Sequence, residues 1–357
     1  MSLNFETGRL GNRKTVELEL TIVIPTINRP QLLKRALDYW GVTDYSVIVA
    51  DGSESAFSGD LPDNVRYIHD AISRPWERWH DALCQVKTPY VAVCGEDDFL
   101  SMNGVKQCLE FLNSNKDYVS AQGHGVEFTV DGMDNIAVGA FMEKRAGMHI
   151  DADTADERMH QLFEEVYMFQ MFSVYRTHML QLVLASVKKQ KNMTYVELGA
   201  AMIPTIFGKH RILPVFYYAR ENVTGSSTGT VECPRFDVQN RSGADDFVKY
   251  CDIVAKIYAD ADNVSREVAV AIVDRTFAEY FAWDQRTFPS RCAVVGTPKQ
   301  SLRYRFRKLM PSPLLKLRRL ILEKYRERQA DPGYPWSDEI AYQEWRYMVD
   351  LINKHLT

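Results

Sequence analysis

The sequence predicts an open, mostly parallel α/β sheet flanked by helices, followed by an α-helical carboxyl-terminal region. Three observations carry that prediction. Short apolar runs at residues 20–25, 47–50 and 90–94 read as buried strands. Stretches with apolar residues three and four apart separate them, as in helices that lay one face on a sheet. The three runs stop in polar residues: Thr26 to Arg29, Asp51 to Ser53, and Glu96 to Asp98. Ligands of open α/β sheets bind beyond the carboxyl ends of the strands, so these ends mark a candidate site.

The elements follow in order. Residues 1–19 are a polar lead-in, with a short strand near residues 16–20. The strand at 20–25 is apolar on both faces and is stopped by Pro25. Pro30 suits a first helical turn, with Asn28 nearby as a cap, and the helix at 31–40 carries Leu32, Leu33, Ala36, Leu37 and Trp40 on one face. Gly41 ends it. A strand at 47–50 stops in the turn Asp51-Gly52-Ser53, and another spans 65–68 after Asp63-Asn64. Ser73 and Pro75 open a helix at 75–86. The strand at 90–94, a helix at 102–113 and a strand at 118–121 come next. Residues 123–147 form strands and loops over the site. Helical character returns at 151–167, 179–188 and 198–207, and a strand at 211–218 is interrupted by Pro214. Residues 220–230 are a polar loop rich in Gly, Ser and Thr. Helices at 245–258, 264–283 and 313–329 complete the chain.

Composition bounds the function. The 357 residues carry a net charge of −4, so no global basic field points to nucleic acid. The six cysteines form no CxxC pair and no zinc spacing with histidine, which fits a reducing, cytoplasmic setting. The amino terminus has no apolar signal core, and no stretch is apolar enough to span a bilayer. There is no GxGxxG and no GxxxxGK[ST], so phosphates would have to be met by a metal and by side chains.

The run Val91-Ala92-Val93-Cys94 ending in Glu96, Asp97 and Asp98 is the most informative stretch. Acids crowded at a strand end repel one another and are costly to desolvate. A hard divalent cation, Mg²⁺ or Mn²⁺, suits such oxygens. The alternative is a solvated turn in which Asp97 or Asp98 caps the next helix.

The motifs Ile22-Val23-Ile24-Pro25-Thr26-Ile27-Asn28-Arg29, Val49-Ala50-Asp51-Gly52-Ser53 and Glu96-Asp97-Asp98 resemble glycosyltransferase family 2 in letters, order and spacing. The resemblance implies a GT-A fold over residues 20–230. Residues 20–125 would form a nucleotide-sugar half and 126–230 an acceptor half, with 231–357 an added helical region. It implies that Pro25, Thr26, Asn28, Arg29 and Asp51 line the nucleotide base, with Asp51 accepting from the ring N–H. Arg78 would lie near the nucleotide, in competition with Arg74. Asp98 would bind the metal, Mn²⁺ or Mg²⁺, with Asp97 sharing it or binding the ribose. Glu197, at a helix amino terminus, would be the catalytic base, and Arg220 would precede a loop closing over the donor phosphates. The chain departs from the family pattern at Gly95, where the first acid of the DxD motif falls, and at Val196-Glu197, where a Glu-Asp pair is usual.

The implied function is a metal-dependent, inverting glycosyltransferase using a nucleotide-sugar, UDP-sugars being the commonest family donors. Its acceptor would be a glycan or lipid-linked glycoconjugate, as in surface polysaccharide synthesis. A nucleotidyltransferase and an idle nucleotide-sugar-binding protein are the alternatives. His124 could contact sugar or acceptor, or be structural. The basic stretch 303–328, with leucines interleaved, reads either as a peripheral membrane contact or as a core-packed helix with solvated cations.

Overall fold

A computed structural model describes residues 20–130, 136–141, 149–163, 170–222, 244–287 and 338–356. The lead-in, the loop from residue 223, and the helix and basic stretch expected within 303–329 lie outside the described residues. In chain order the elements are β1 (Leu20–Thr26), α1 (Pro30–Trp40), β2 (Ser46–Asp51), β3 (Val65–His69), α2 (Pro75–Leu83), β4 (Tyr90–Val93), β5 (Phe99–Leu100) and α3 (Met102–Ser114). There follow β6 (Tyr118–Val130), β7 (Ile136–Phe141), β8 (His149–Ile150), α4 (Ala155–Gln161), β9 (Val174–Arg176), α5 (Thr177–Val187), α6 (Met193–Phe207) and β10 (Lys209–Glu221). Three helices close the described chain: α7 (Ala244–Asp262), α8 (Arg266–Thr287) and α9 (Glu339–Lys354).

These strands form one sheet in the order β3-β2-β1-β4-β9-β6-β10-β5, with β7 on β6 and β8 on β10. β3, β2, β1 and β4 are mutually parallel. β9 runs antiparallel to both β4 and β6, and β10 is parallel to β6, so β6 and β10 run in the direction of the first four. Helices cover both faces, as expected for strands apolar on both sides. In β1 the alternation is visible: Val23 enters one core, with α2 and α4 to α8, while Ile22 and Ile24 enter the other, with α1, α3 and α9. The helical carboxyl-terminal residues are therefore shared between the faces, α7 and α8 on one and α9 on the other.

Several boundaries differ from expectation for local reasons. β6 runs on to Val130 past Gly123, where a Cβ would come 2.4 Å from the Val215 carbonyl oxygen. That glycine permits close approach of β10 rather than ending the strand. β10 spans Pro214 by shifting register between Ile212 and Phe216, the kind of bulge that tolerates proline. The helix expected at 198–207 begins at Met193, because Asn192 Oδ1 accepts from the Thr194 amide at 2.8 Å and caps it. α9 falls within the helical region expected over 231–357, but the sequence reading delimits no separate helix there.

Candidate active site

The ends of β1 and β2 are joined by backbone and side-chain bonds. Thr26 and Asp51 are register partners, and the Gly52 amide donates to the Thr26 carbonyl at 2.9 Å. Asn28 does not cap α1. It takes a left-handed backbone conformation, φ 54°, one of the few that asparagine tolerates without a glycine's freedom. There its amide donates to Ser53 Oγ at 2.7 Å and its Oδ1 accepts from the Glu54 amide at 3.1 Å. The two strand ends thus form one turn-on-turn ledge.

Asp51 is buried in that ledge. Its Oδ1 accepts from the Ser53 amide at 2.7 Å and its Oδ2 from the Tyr67 hydroxyl at 2.6 Å. The Tyr67 phenol is pushed up to about 12 by burial and by the Asp51 carboxylate. Its ring lies parallel to His69, centroids 6.5 Å apart, and His69 Nε2 donates to the Ser53 carbonyl at 2.8 Å. Arg78 reaches the same ledge from α2. Its guanidinium crosses Gly52 so closely that a Cβ there would be 2.0 Å from Nη2. It donates to the Ser73 carbonyl, while its buried Nε has no hydrogen-bond partner. Arg74 is committed elsewhere, to Glu77 at 2.8 Å and to the carbonyls of Lys188 and Gln190. Of the two arginines, Arg78 is the one at the ledge.

The acidic turn follows β4 at the neighbouring strand end, with the Cys94 amide on the Val23 carbonyl at 3.0 Å. Arg29 Nη1 donates to Asp97 Oδ2 at 2.8 Å and Glu96 Oε1 at 3.3 Å. Asp98 accepts at Oδ2 from the Tyr218 hydroxyl at 2.5 Å and at Oδ1 from the Glu221 amide at 3.0 Å. Arg35, from α1, donates Nη2 to the Asp97 carbonyl at 2.9 Å and to Glu221 Oε2 at 2.6 Å. β5 then pairs Phe99 with Ala219 and Leu100 with Tyr218. Neither Asp97 nor Asp98 caps the next helix: Ser101 does, its Oγ accepting from the Gly104 amide at 2.9 Å. Gly95 is explained by crowding, because a Cβ there would stand 2.8 Å from Asp97 Oδ1 and 3.3 Å from Asp98 Oδ2.

This turn holds protons more tightly than ordinary carboxylates. Burial, and then the neighbouring charge of Asp97, pushes Glu96 up to about 7 and raises Asp98 as well. Burial also raises Glu221, against the pull of Arg35. Arg220 faces two groups at once, since its charge lowers both Asp98 and Glu197. Glu197 is otherwise pushed up to about 7 by burial. It is the fifth residue of α6, not a residue of its amino terminus, so the helix dipole does not explain its place. His124 is buried in β6 opposite Phe216, and burial lowers its imidazole so that the neutral form prevails.

The structure therefore gathers Thr26, Asn28, Asp51 and Arg78 at one ledge. Arg29, Asp97, Asp98 and Arg220 gather at the adjoining turn, with Glu197 across Arg220. Pro25 is the β1 partner of Ala50 just below the ledge. The sequence reading missed Tyr67, Arg35 and Tyr218. Arg35 left a trace: it lies between Leu32 and Tyr39 at helical spacing on the buried side of α1, where an unpartnered charge would be costly.

Among the described residues no group of three or more His, Cys, Asp and Glu side chains is arranged to hold a metal ion. The donor set is two carboxylates, Asp97 and Asp98. Each Asp98 oxygen accepts one hydrogen bond and Asp97 is bonded through Oδ2, so lone pairs remain on both. That fits a Mg²⁺-type ion, which takes one or two protein carboxylates and completes its shell with water and substrate phosphates.

No protein-family model matches the chain, and no curated protein matches it. Among solved structures it is similar to S. aureus TarS. With TarS 1–349 in complex with UDP-GlcNAc the identity is 16%, covering 75% of this chain and 74% of that one, at a TM-score of 0.47. With TarS 1–349 alone it is 13%, covering 95% and 90%, at 0.48. With a longer TarS chain it is 15%, covering 79% of this chain and 46% of that one, at 0.47, so this chain spans under half of that relative.

Proposed function

We propose that the chain is a metal-dependent, inverting glycosyltransferase that moves a sugar from a nucleotide diphosphate to a hydroxyl acceptor. One observation carries the reading: a buried aspartate ledge and an acidic turn meet at adjacent strand ends, and Arg220 links that turn to a half-buried glutamate poised near neutral pH. The ledge suits a nucleobase. Each Asp51 oxygen keeps a second lone pair for a ring N–H, which favours uridine, and the parallel Tyr67 and His69 rings offer an apolar face beside it. Arg78 supplies charge next to Gly52 for ribose or phosphate. Asp97 and Asp98 would hold Mn²⁺ or Mg²⁺, which when bound neutralises charge developing on the leaving diphosphate. Glu197 takes the proton from the acceptor hydroxyl as it attacks the anomeric carbon, and burial near pH 7 makes it basic enough to do so. Arg220, facing Asp98 and Glu197, favours the charged form of both and partly offsets the burial that raises them.

The acceptor is a glycan or a lipid-linked glycoconjugate, consistent with surface polysaccharide synthesis. No helix among the described residues is long and apolar enough to cross a membrane. An idle nucleotide-sugar binder is the second reading, favoured by Arg29, which already occupies Asp97 Oδ2. Turnover separates them. UDP release from UDP-sugars, dependent on Mn²⁺ and abolished by EDTA, is the expected result. Mn²⁺-dependent UDP binding without release from any sugar donor or acceptor would favour the idle protein.

A further inference from the structure

A carboxylate from the far end of the chain closes the helix that follows the acidic turn. Glu344 lies on α9, yet its Oε1 accepts from the Asn103 amide at 2.8 Å and its Oε2 from the Ser101 hydroxyl. Ser101 in turn accepts from the Gly104 amide, so the free donors of the first α3 turn are met by one serine and one glutamate. Glu344 is buried, with only 8% of its surface exposed. A carboxylate is costly there unless its partners repay desolvation, and packing alone would be served better by an apolar residue.

The rest of α9 grips the same region. Tyr347 stacks on Tyr39 of α1 at 5.9 Å, and the Tyr39 hydroxyl donates to the Leu100 carbonyl at 2.8 Å, two residues after Asp98. Trp345 meets the Phe128 ring edge-on at 5.5 Å. Lys354 Nζ and His355 Nε2 both bond Asp38 Oδ2 on α1, at 2.8 and 3.0 Å. Arg29, the residue before α1, holds the Asp97 side chain, and Arg35 on α1 holds its carbonyl. The acidic turn is thus fixed on one side by α1 and on the other by the start of α3, and α9 braces both.

We propose that Glu344 is a positioning residue for Asp97 and Asp98, acting from α9 through the first turn of α3. Its catalytic consequence rests on the function proposed above; the brace itself does not.

Hydrogen exchange and donor kinetics on the full chain test it together, comparing wild type with Glu344→Gln, Ser101→Ala and Met348→Ala. Met348 is buried on α9 one turn from Glu344, makes neither of those bonds, and controls for loss of α9 packing. Glu344→Gln should speed exchange of the amides of residues 95–104 by about tenfold, the scale of one charged hydrogen bond. It should also raise the KM for UDP-sugar while leaving the acceptor KM unchanged. Ser101→Ala, which keeps the Asn103 contact, should show the same pattern more weakly. Met348→Ala should lower Tm with no local change at 95–104. Unchanged exchange at 95–98 in both Glu344→Gln and Ser101→Ala overturns the proposal, as does a Met348→Ala profile equal to theirs. If Glu344→Gln does not fold, Ser101→Ala alone decides. Faster exchange at 95–104 without turnover of any donor in wild type would support the brace and count against the transferase reading.

Discussion

At the residue scale, burial sets the chemistry. Glu96 and Glu197 each bind a proton up to about pH 7, above the ordinary glutamate value of 4.5. The folded state therefore holds more protons than the unfolded chain between about pH 4.5 and 7, and stability falls as pH rises through that window. Urea denaturation of the metal-free protein should show a loss on the order of a few kcal/mol between pH 5 and pH 8, from shifts of this size. Glu96→Gln should flatten that slope. For the proposed reaction the sign is opposite, because Glu197 as base would have to be deprotonated: kcat should rise with pH through about 7. Glu197→Gln should remove that limb and cut kcat by about 10² to 10⁴, with little effect on donor KM. The acids at 96–98 and Asp51 were legible in the sequence because charges ending an apolar strand need a reason. Tyr67 and Tyr218 were not, because a tyrosine inside a strand looks the same whether its hydroxyl meets a carboxylate or solvent.

At the element scale, the site depends on strand ends held in register and on two close approaches. Gly52 lets the Arg78 guanidinium lie against the ledge, with 2.0 Å to where a Cβ would be. Gly52→Ala should displace Arg78 and weaken nucleotide binding by about tenfold, at the lower end of overpacking costs. Far-UV circular dichroism should stay that of wild type, because Arg78 can swing outward. The Arg35–Glu221 pair holds the acidic turn to β10 and is buried on both sides. Arg35→Met should cost about 3–5 kcal/mol by leaving Glu221 buried without its cation, read as a fall in Tm. Strands β1, β2 and β4 were plain from apolar runs. The length of β6 was not, since Gly123 and Gly125 read as breaks until β10 packs against them. The start of α6 was missed because its cap, Asn192, sits in a stretch that reads as loop.

At the scale of the whole molecule, a ten-stranded sheet brings residues from 26 to 221 to its carboxyl-end edge, and helices from both ends of the sequence brace it. The α/β class followed from alternation of apolar runs with helical periodicity. The order of the last strands did not, because it depends on pairings between strands far apart in the chain, and nor did the place of α9, whose Glu344 bonds reach across 240 residues and more. The same distance explains why Glu344 reads as one more surface acid on an amphipathic helix. The proposed function unites the scales in one arrangement, a nucleotide diphosphate that would be held between the Asp51 ledge and a metal on the Asp97–Asp98 turn. Calorimetric titration of UDP into wild type, Asp97→Asn and Asp51→Asn, each with Mn²⁺ and with EDTA, examines that union. UDP should bind wild type only with Mn²⁺, lose binding in Asp97→Asn, and bind Asp51→Asn more weakly but still with Mn²⁺ dependence. Equal UDP affinity in EDTA, or undiminished binding by Asp97→Asn, would contradict it.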